Sequence, residues 1–166
     1  MNIKYRQFKP QDGPNVAGLI RNLYAEDPSD RPMLPEKIAK TFDALTRHPD
    51  LGTIIVLENE DEIVGYSIII NFWSNEYGGN VSFIDELYIK KEFRAKGIGT
   101  NFIKYLAENK FKDAVALRLE VTQNNKKAQK LYESLGFKLH KNLTLNLDLK
   151  ALTSFLAVLI IISNIL

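Results

Sequence analysis

The sequence predicts a single α/β domain of the mixed α+β kind, with a central mixed β-sheet flanked by about four helices. Three patterns predict it. A segment rich in β-branched and aromatic residues, Ser82 to Ile89, runs through a glycine-containing turn into apolar residues at helical spacing. A second strand and helix follow between Leu117 and Leu135. From Leu143 to Leu149, leucines alternate with polar residues, which is the clearest period-two pattern in the chain.

The first half of the chain is predicted to contain two helices and three strands. Apolar residues fall on one helical stripe between Asn15 and Tyr24, which indicates an amphipathic helix. Pro35 is expected to open the second helix, because proline is favoured at the first helical position. The strands are expected at residues 3–8, 53–58 and 62–72, with a tight acidic turn between the last two and a glycine hairpin turn after them.

The second half is predicted to alternate strands and helices. We expect strands at residues 82–89, 117–121, 137–140 and 143–149, and helices at residues 98–110 and 126–135. A chain of 166 residues is long enough for one well-packed domain. The predicted domain covers residues 1–149, and an apolar C-terminal extension covers residues 150–166.

Composition and charge exclude several classes of function. The 22 basic and 20 acidic residues give a net charge of +2, which is too small to attract nucleic acid strongly. The absence of cysteine excludes disulfides, thiolate metal sites and a cysteine acyl-enzyme. His48 and His140 lack ligand spacing, so no metal site is expected. The N-terminus has no apolar signal-peptide segment, and a cytoplasmic location is the default expectation.

The sequence from Arg94 to Gly99 predicts a turn that forms a binding site for a phosphate or pyrophosphate. Glycines let the backbone approach a ligand closely, and the first N–H groups of a helix have no intrahelical partner. A Rossmann fingerprint is the competing interpretation. It needs glycine or alanine where this chain has Phe102, and a first glycine directly after the strand, whereas seven residues separate Ile89 from Gly97. These two differences weaken the Rossmann interpretation, which stays open.

A second motif runs from Asn125 to Phe137 and reads Asn-Lys-Lys-Ala-Gln-Lys-Leu-Tyr-Glu-Ser-Leu-Gly-Phe. Together with Arg-Ala-Lys-Gly-Ile-Gly at residues 94–99, it resembles the Gcn5-related N-acetyltransferase (GNAT) superfamily. The resemblance covers about residues 3–149. It implies the acyl-CoA N-acyltransferase fold, acetyl-CoA as cosubstrate, and direct transfer of acetyl to a primary amine of a small molecule or peptide.

The resemblance also implies which residues bind the cofactor. Backbone groups near the end of the strand would pair with the pantetheine arm, and the turn would bind the pyrophosphate. Asn125 would contact the cofactor, cap the last helix, or do both. The implied cofactor-binding residues are Leu87, Tyr88, Ile89, Arg94, Ala95, Lys96, Gly97, Ile98, Gly99, Thr100, Asn125 and Tyr132.

Three residues are predicted to carry the chemistry. The resemblance places Tyr132 near the sulfur, where a phenol could protonate the leaving thiolate, although a core role fits its helical stripe as well. Asp85 and Glu86 are candidate bases for the attacking amine, with Asp85 favoured and Glu120 in reserve. Either acid could instead pair with a basic residue across the sheet.

The sequence gives weaker evidence for the acceptor site. The acidic residues Glu26, Asp27 and Asp30 are expected in the loop between the first two helices, where they could attract a cationic amine or simply be solvated. Phe72, Trp73 and Tyr77 could wall the acceptor pocket or pack at a sheet edge. For residues 151–166 we favour burial against the domain or in a homodimer over membrane contact. A non-catalytic acyl-CoA sensor and a protein acetyltransferase remain alternative functions.

Overall fold

The computed structural model describes residues 1–29, 31–109 and 111–149. Two compact units divide the chain, at residues 1–135 and 136–166. Within the described residues, the first unit contains five strands and four α-helices: β1 (Lys4–Gln7), α1 (Gly13–Glu26), α2 (Pro35–Arg47), β2 (Gly52–Asn59), β3 (Glu62–Ser74), β4 (Gly79–Ile89), α3 (Ile98–Glu108), β5 (Ala116–Leu119) and α4 (Lys126–Ser134). The predicted mixed sheet flanked by helices is therefore confirmed.

The strands lie in the sheet in the order in which they occur in the chain, β1-β2-β3-β4-β5. The first three pairings are antiparallel, and β4 pairs with β5 in parallel through the α3 crossover. The acidic turn between β2 and β3 places Glu60 and Asp61 at φ values of 49° and 66°. Two successive left-handed residues are what a tight hairpin requires.

The helices cover opposite faces of the sheet. One core cluster joins α1 and α2 to a single face of β2, β3 and β4, with Val16, Ile20, Val56 and Tyr66 among its members. Helix α3 packs elsewhere, because its Phe102 ring lies 5.2 Å from the ring of Tyr5 on β1. Tyr5 pairs with Leu57, the neighbour of Val56, so it points to the other face.

The two strands predicted at residues 137–140 and 143–149 were wrong. The structure has no strand at these residues. The leucines at positions 143, 145, 147 and 149 are 91%, 92%, 70% and 67% exposed, so their alternation buries no face. Period-two alternation shows what a strand would bury, but a strand also needs a neighbour to complete its hydrogen-bond ladder. No such ladder reaches these residues in the described part of the chain.

The apolar extension from Ala151 onward lies outside the described residues, and its predicted role stays a prediction. Among the helices that the structure describes, none combines the length and the apolar character needed to cross a bilayer.

Candidate active site

The centre of the candidate site is a fork between β4 and β5. Their parallel pairing ends at Ile84 opposite Leu119. The next residue on each strand is acidic, Asp85 on β4 and Glu120 after β5. A register shift between β3 and β4 leaves Asp85 without a paired residue on β3, which is a β-bulge. Bulges re-aim side chains, and the Asp85 carboxyl is close enough to Glu120 for the charge of Glu120 to raise its pKa.

Beyond the fork, β4 offers backbone groups on its open side. The Ile89 carbonyl accepts a hydrogen bond of 2.7 Å from Nε of Arg94, so this carbonyl points away from β3. Because backbone groups alternate along an antiparallel ladder, the N–H and C=O of Leu87 also point away from β3, and those of Tyr88 point toward it. The open edge at Leu87 and Ile89 suits an extended ligand that pairs as an added strand.

The turn before α3 leaves several N–H groups for a ligand. Gly97 is the N-cap of α3 at φ 77°, and it has no side chain to cap the helix. Ile98, Gly99 and Thr100 are the first three helical residues, whose N–H groups have no intrahelical acceptor. A Cβ on Gly99 would lie 3.4 Å from Cδ1 of Ile89, so the helix start sits directly against the end of β4. These donors and the helix dipole fit a pyrophosphate.

Arg94 fixes this turn to the rest of the domain. Its guanidinium donates to Glu26 at the end of α1, with Nη1–Oε2 and Nη2–Oε1 distances of 2.7 and 3.2 Å. The Tyr88 hydroxyl donates to the same carboxylate at 2.8 Å. The Arg94 guanidinium carbon also lies 4.9 Å from the centroid of the Tyr88 ring. The side chain of Arg94 thus positions the turn, and Glu26 belongs to α1 instead of the acidic loop predicted from the sequence.

Glu86 is a buried carboxylate on the face covered by α1 and α2. Its side chain accepts hydrogen bonds from the hydroxyls of Tyr66 at 2.7 Å and Tyr24 at 2.9 Å. Burial raises the pKa of Glu86; the two tyrosine hydrogen bonds oppose this, and the charge of Asp85 adds to it. Sequence reasoning missed this cluster, because only a folded sheet brings Tyr24 and Tyr66 to the same carboxylate.

Asp85 differs from its neighbour in exposure and in partners. The residue as a whole is exposed at the fork. Partial desolvation of its carboxyl group, followed by the negative charge of Glu120, raises the pKa of Asp85. A carboxylate with a raised pKa is a stronger base near neutral pH, which suits proton removal from an amine.

The second motif lies on α4. The Asn125 side-chain oxygen accepts a hydrogen bond of 3.1 Å from the N–H of Ala128 and so caps the helix. Tyr132 lies seven residues later, on the same side of α4. Burial raises the pKa of Tyr132, so its hydroxyl stays protonated well above neutral pH.

The aromatic residues near the hairpin are partly open to solvent. Phe72, Trp73 and Tyr77 are 37%, 67% and 50% exposed. The guanidinium carbon of Arg118 on β5 lies 5.4 Å from the centroid of the Phe72 ring, a contact that sequence reasoning missed.

Of the predicted acidic loop, Asp30 lies outside the described residues. Among the described residues, no group of three or more His, Asp or Glu side chains could hold a metal ion.

Comparisons with known proteins identify the family. Residues 18–137 match the acetyltransferase (GNAT) family. Thialysine N-epsilon-acetyltransferase of Bos taurus is 32% identical over 142 residues, which cover 81% of this chain and 83% of that protein. The Mus musculus protein of the same name is 39% identical over 143 residues, covering 81% and 84%.

Solved structures agree with the sequence matches. A possible acetyltransferase from Clostridium difficile 630 superposes with a TM-score of 0.78 at 25% identity, covering 90% of this chain and 99% of that chain. The family uses acetyl-CoA as its acyl donor, and the bare helix start beside an open strand edge fits that cosubstrate. The chain belongs to the acetyltransferase (GNAT) family and is an N-acetyltransferase.

Proposed function

We propose that the protein transfers acetyl from acetyl-CoA directly to the primary amine of a small molecule, in a ternary complex. The observation that carries this proposal is the fork after Ile84 and Leu119. It brings an open strand edge, a helix start with unpaired donors and two acidic side chains together. These are the parts that acyl transfer to an amine requires.

Each group at the fork has a proposed role. The bound cosubstrate supplies a thioester carbonyl carbon, which the neutral amine attacks. Asp85, directly or through water, accepts the proton that the amine must lose. The backbone N–H of Ile89, on the open edge, stabilises the negative charge that develops on the acetyl oxygen. As the new C–N bond forms and the C–S bond breaks, Tyr132 donates a proton to the leaving thiolate.

Glu86 is proposed to act on the acceptor through charge. It lies on the face opposite α3, so it approaches the reacting centre from the side away from the cosubstrate. A buried carboxylate beside the fork favours the cationic form of an amine as it enters. The relatives named above carry thialysine N-epsilon-acetyltransferase as their name, and thialysine is a small amine of this kind. The name supports a small-molecule acceptor over a protein.

The test is release of free thiol from acetyl-CoA with a panel of acceptors. The panel contains thialysine, alkyl diamines, and peptides with a lysine or a free N-terminus. We expect thiol release that depends on the amine and is fastest with a small acceptor. Binding of acetyl-CoA with no turnover of any acceptor would instead identify a sensor. Gly97→Trp is the negative control for thiol release, since it should remove cosubstrate binding and leave the protein folded.

A further inference from the structure

Arg118 lies on the face of the sheet that carries Glu86. It is directly opposite Phe83 in the parallel pairing of β4 and β5. Phe83 pairs with Ile70 on β3, and Glu86 pairs with Ile68, so Phe83 and Glu86 point to the same face. This is the face covered by α1, away from α3 and from the proposed acetyl-CoA binding site.

Arg118 differs from the other half-buried arginines of the described chain. Arg6 is held by Asp12 and Glu58 at 2.7 Å, and Arg94 is held by Glu26 at 2.7 Å. None of the ion pairs or side-chain hydrogen bonds found among the described residues involves Arg118, whose contact there is the ring of Phe72. A guanidinium is planar, and its rigid fork of five N–H donors matches a carboxylate.

The spacing from Arg118 to the acidic pair suits a short bifunctional molecule. Glu86 is three residues beyond Phe83 on β4, with the bulge residue Asp85 between them. At about 3.3 Å per residue, less where the bulge shortens the strand, Phe83 and Glu86 are about 7–10 Å apart along β4; with about 4.8 Å between neighbouring strands, Arg118 and Glu86 are about 8–11 Å apart. An amino acid with the length of lysine can place its distal amine beside the acids and its carboxylate at Arg118.

We propose that Arg118 determines acceptor specificity by binding the carboxylate of an amino acid whose distal amine is acetylated beside Asp85 and Glu86. The inference rests on the proposed function and names its substrate class. It also predicts selection against diamines. A diamine would place a cation without a neighbouring carboxylate against Arg118, and such like-charge contact disfavours it, whereas the carboxylate of an amino acid offsets its own α-ammonium.

The experiment compares thialysine with thialysine methyl ester, which keeps the distal amine and lacks the carboxylate. Wild-type protein should show a kcat/KM at least about tenfold higher for the acid. In Arg118→Gln, kcat/KM for the acid should fall about 10- to 100-fold, mainly through KM, with little change for the ester. Arg118→Lys should recover part of the loss, because it keeps the charge and loses the planar fork.

Arg47→Gln is the control for net charge, since Arg47 is exposed on α2 and paired with Asp43. It should leave the preference for the acid unchanged. Equal losses for acid and ester in Arg118→Gln, or no preference in the wild type, would overturn the carboxylate assignment and leave the proposed function standing. Failure of the wild type to acetylate any amine would overturn the proposed function itself.

Discussion

Glu26 and Arg94, which are 68 residues apart in the sequence, form a two-pronged ion pair that ties the end of α1 to the turn before α3. Its two N–O distances are 2.7 and 3.2 Å. The pairing holds the pKa of Glu26 below its ordinary value, with the Arg94 hydrogen bond as the largest cause. One face of the sheet therefore helps to position the turn that we propose to bind the pyrophosphate on the other face.

Glu26→Gln should loosen this turn. Because both side chains are partly exposed, we expect the free energy of unfolding to fall by only about 0.5–1 kcal/mol. The dissociation constant for acetyl-CoA should rise about three- to tenfold, since the turn is less well fixed before the ligand binds. Calorimetric titration measures the binding. Glu62→Gln breaks the Lys90–Glu62 pair of 2.6 Å at the surface and is the control. Equal effects on binding in the two variants would contradict the positioning role.

Asp85→Asn should lower kcat about 10²- to 10⁴-fold, the usual contribution of a general base. The raised pKa of Asp85 should place the acidic limb of the kcat/KM profile above the ordinary value of 3.8 for an aspartate. Glu120→Gln removes one of the two causes of that shift, so the limb should move to lower pH while the plateau is retained. A pH-rate series on the three proteins measures both effects. An active Asp85→Asn with an inactive Glu120→Gln would transfer the role of base to Glu120.

Glu86 should make stability depend on pH. Its native pKa is raised, so the folded state holds more protons than the unfolded state between the ordinary value of 4.5 and the native value. The contribution of Glu86 to stability is therefore largest below 4.5 and is lost as pH rises through that window, by up to about 1.4 kcal/mol per pH unit. Urea unfolding at a series of pH values should show a smaller loss in Glu86→Gln. An unchanged pH profile in that variant would mean that Glu86 does not titrate in this window.

Gly97→Ala tests the backbone of the turn. The nearest atom to a Cβ at this position is 3.9 Å away, so the cost comes from φ 77° and not from a clash. We expect a loss of about 1–2 kcal/mol in stability and weaker acetyl-CoA binding as the turn relaxes. Gly78→Ala is the matched control, because Gly78 has φ 62° and open space but lies in the hairpin before β4. It should lose similar stability and keep its affinity; a similar loss of affinity would make the effect of Gly97 a global one.

The elements that sequence reasoning predicted well are those with a local signal. The start of α3 at Ile98 follows from Gly97 and from apolar spacing, and α2 begins at Pro35 as predicted. The element order, and with it the mixed sheet, follows from such local patterns. Strands 137–140 and 143–149 were wrong because alternation cannot show whether a neighbouring strand is present to pair with them.

The candidate site depends on relationships that no local pattern contains. Asp85 and Glu86 are adjacent, and alternation predicts that they face opposite sides. Their different environments come from the bulge opposite β3 and from Tyr24, which is 62 residues away from Glu86. Arg118 gave no signal as a functional residue, because its place opposite Phe83 depends on the register of two strands joined by a helical crossover.

The strand order has a kinetic consequence. Strands β2, β3 and β4 are joined by short turns, β1 reaches β2 only across α1 and α2, and β5 must cross over α3 before it can align in parallel beside β4. Loop-closure entropy makes such non-local parallel contacts slow to form. We therefore expect the β4–β5 junction to be completed after the β2–β3–β4 hairpins, so that a refolding chain regains the centre of its sheet before it regains the ability to turn over substrate.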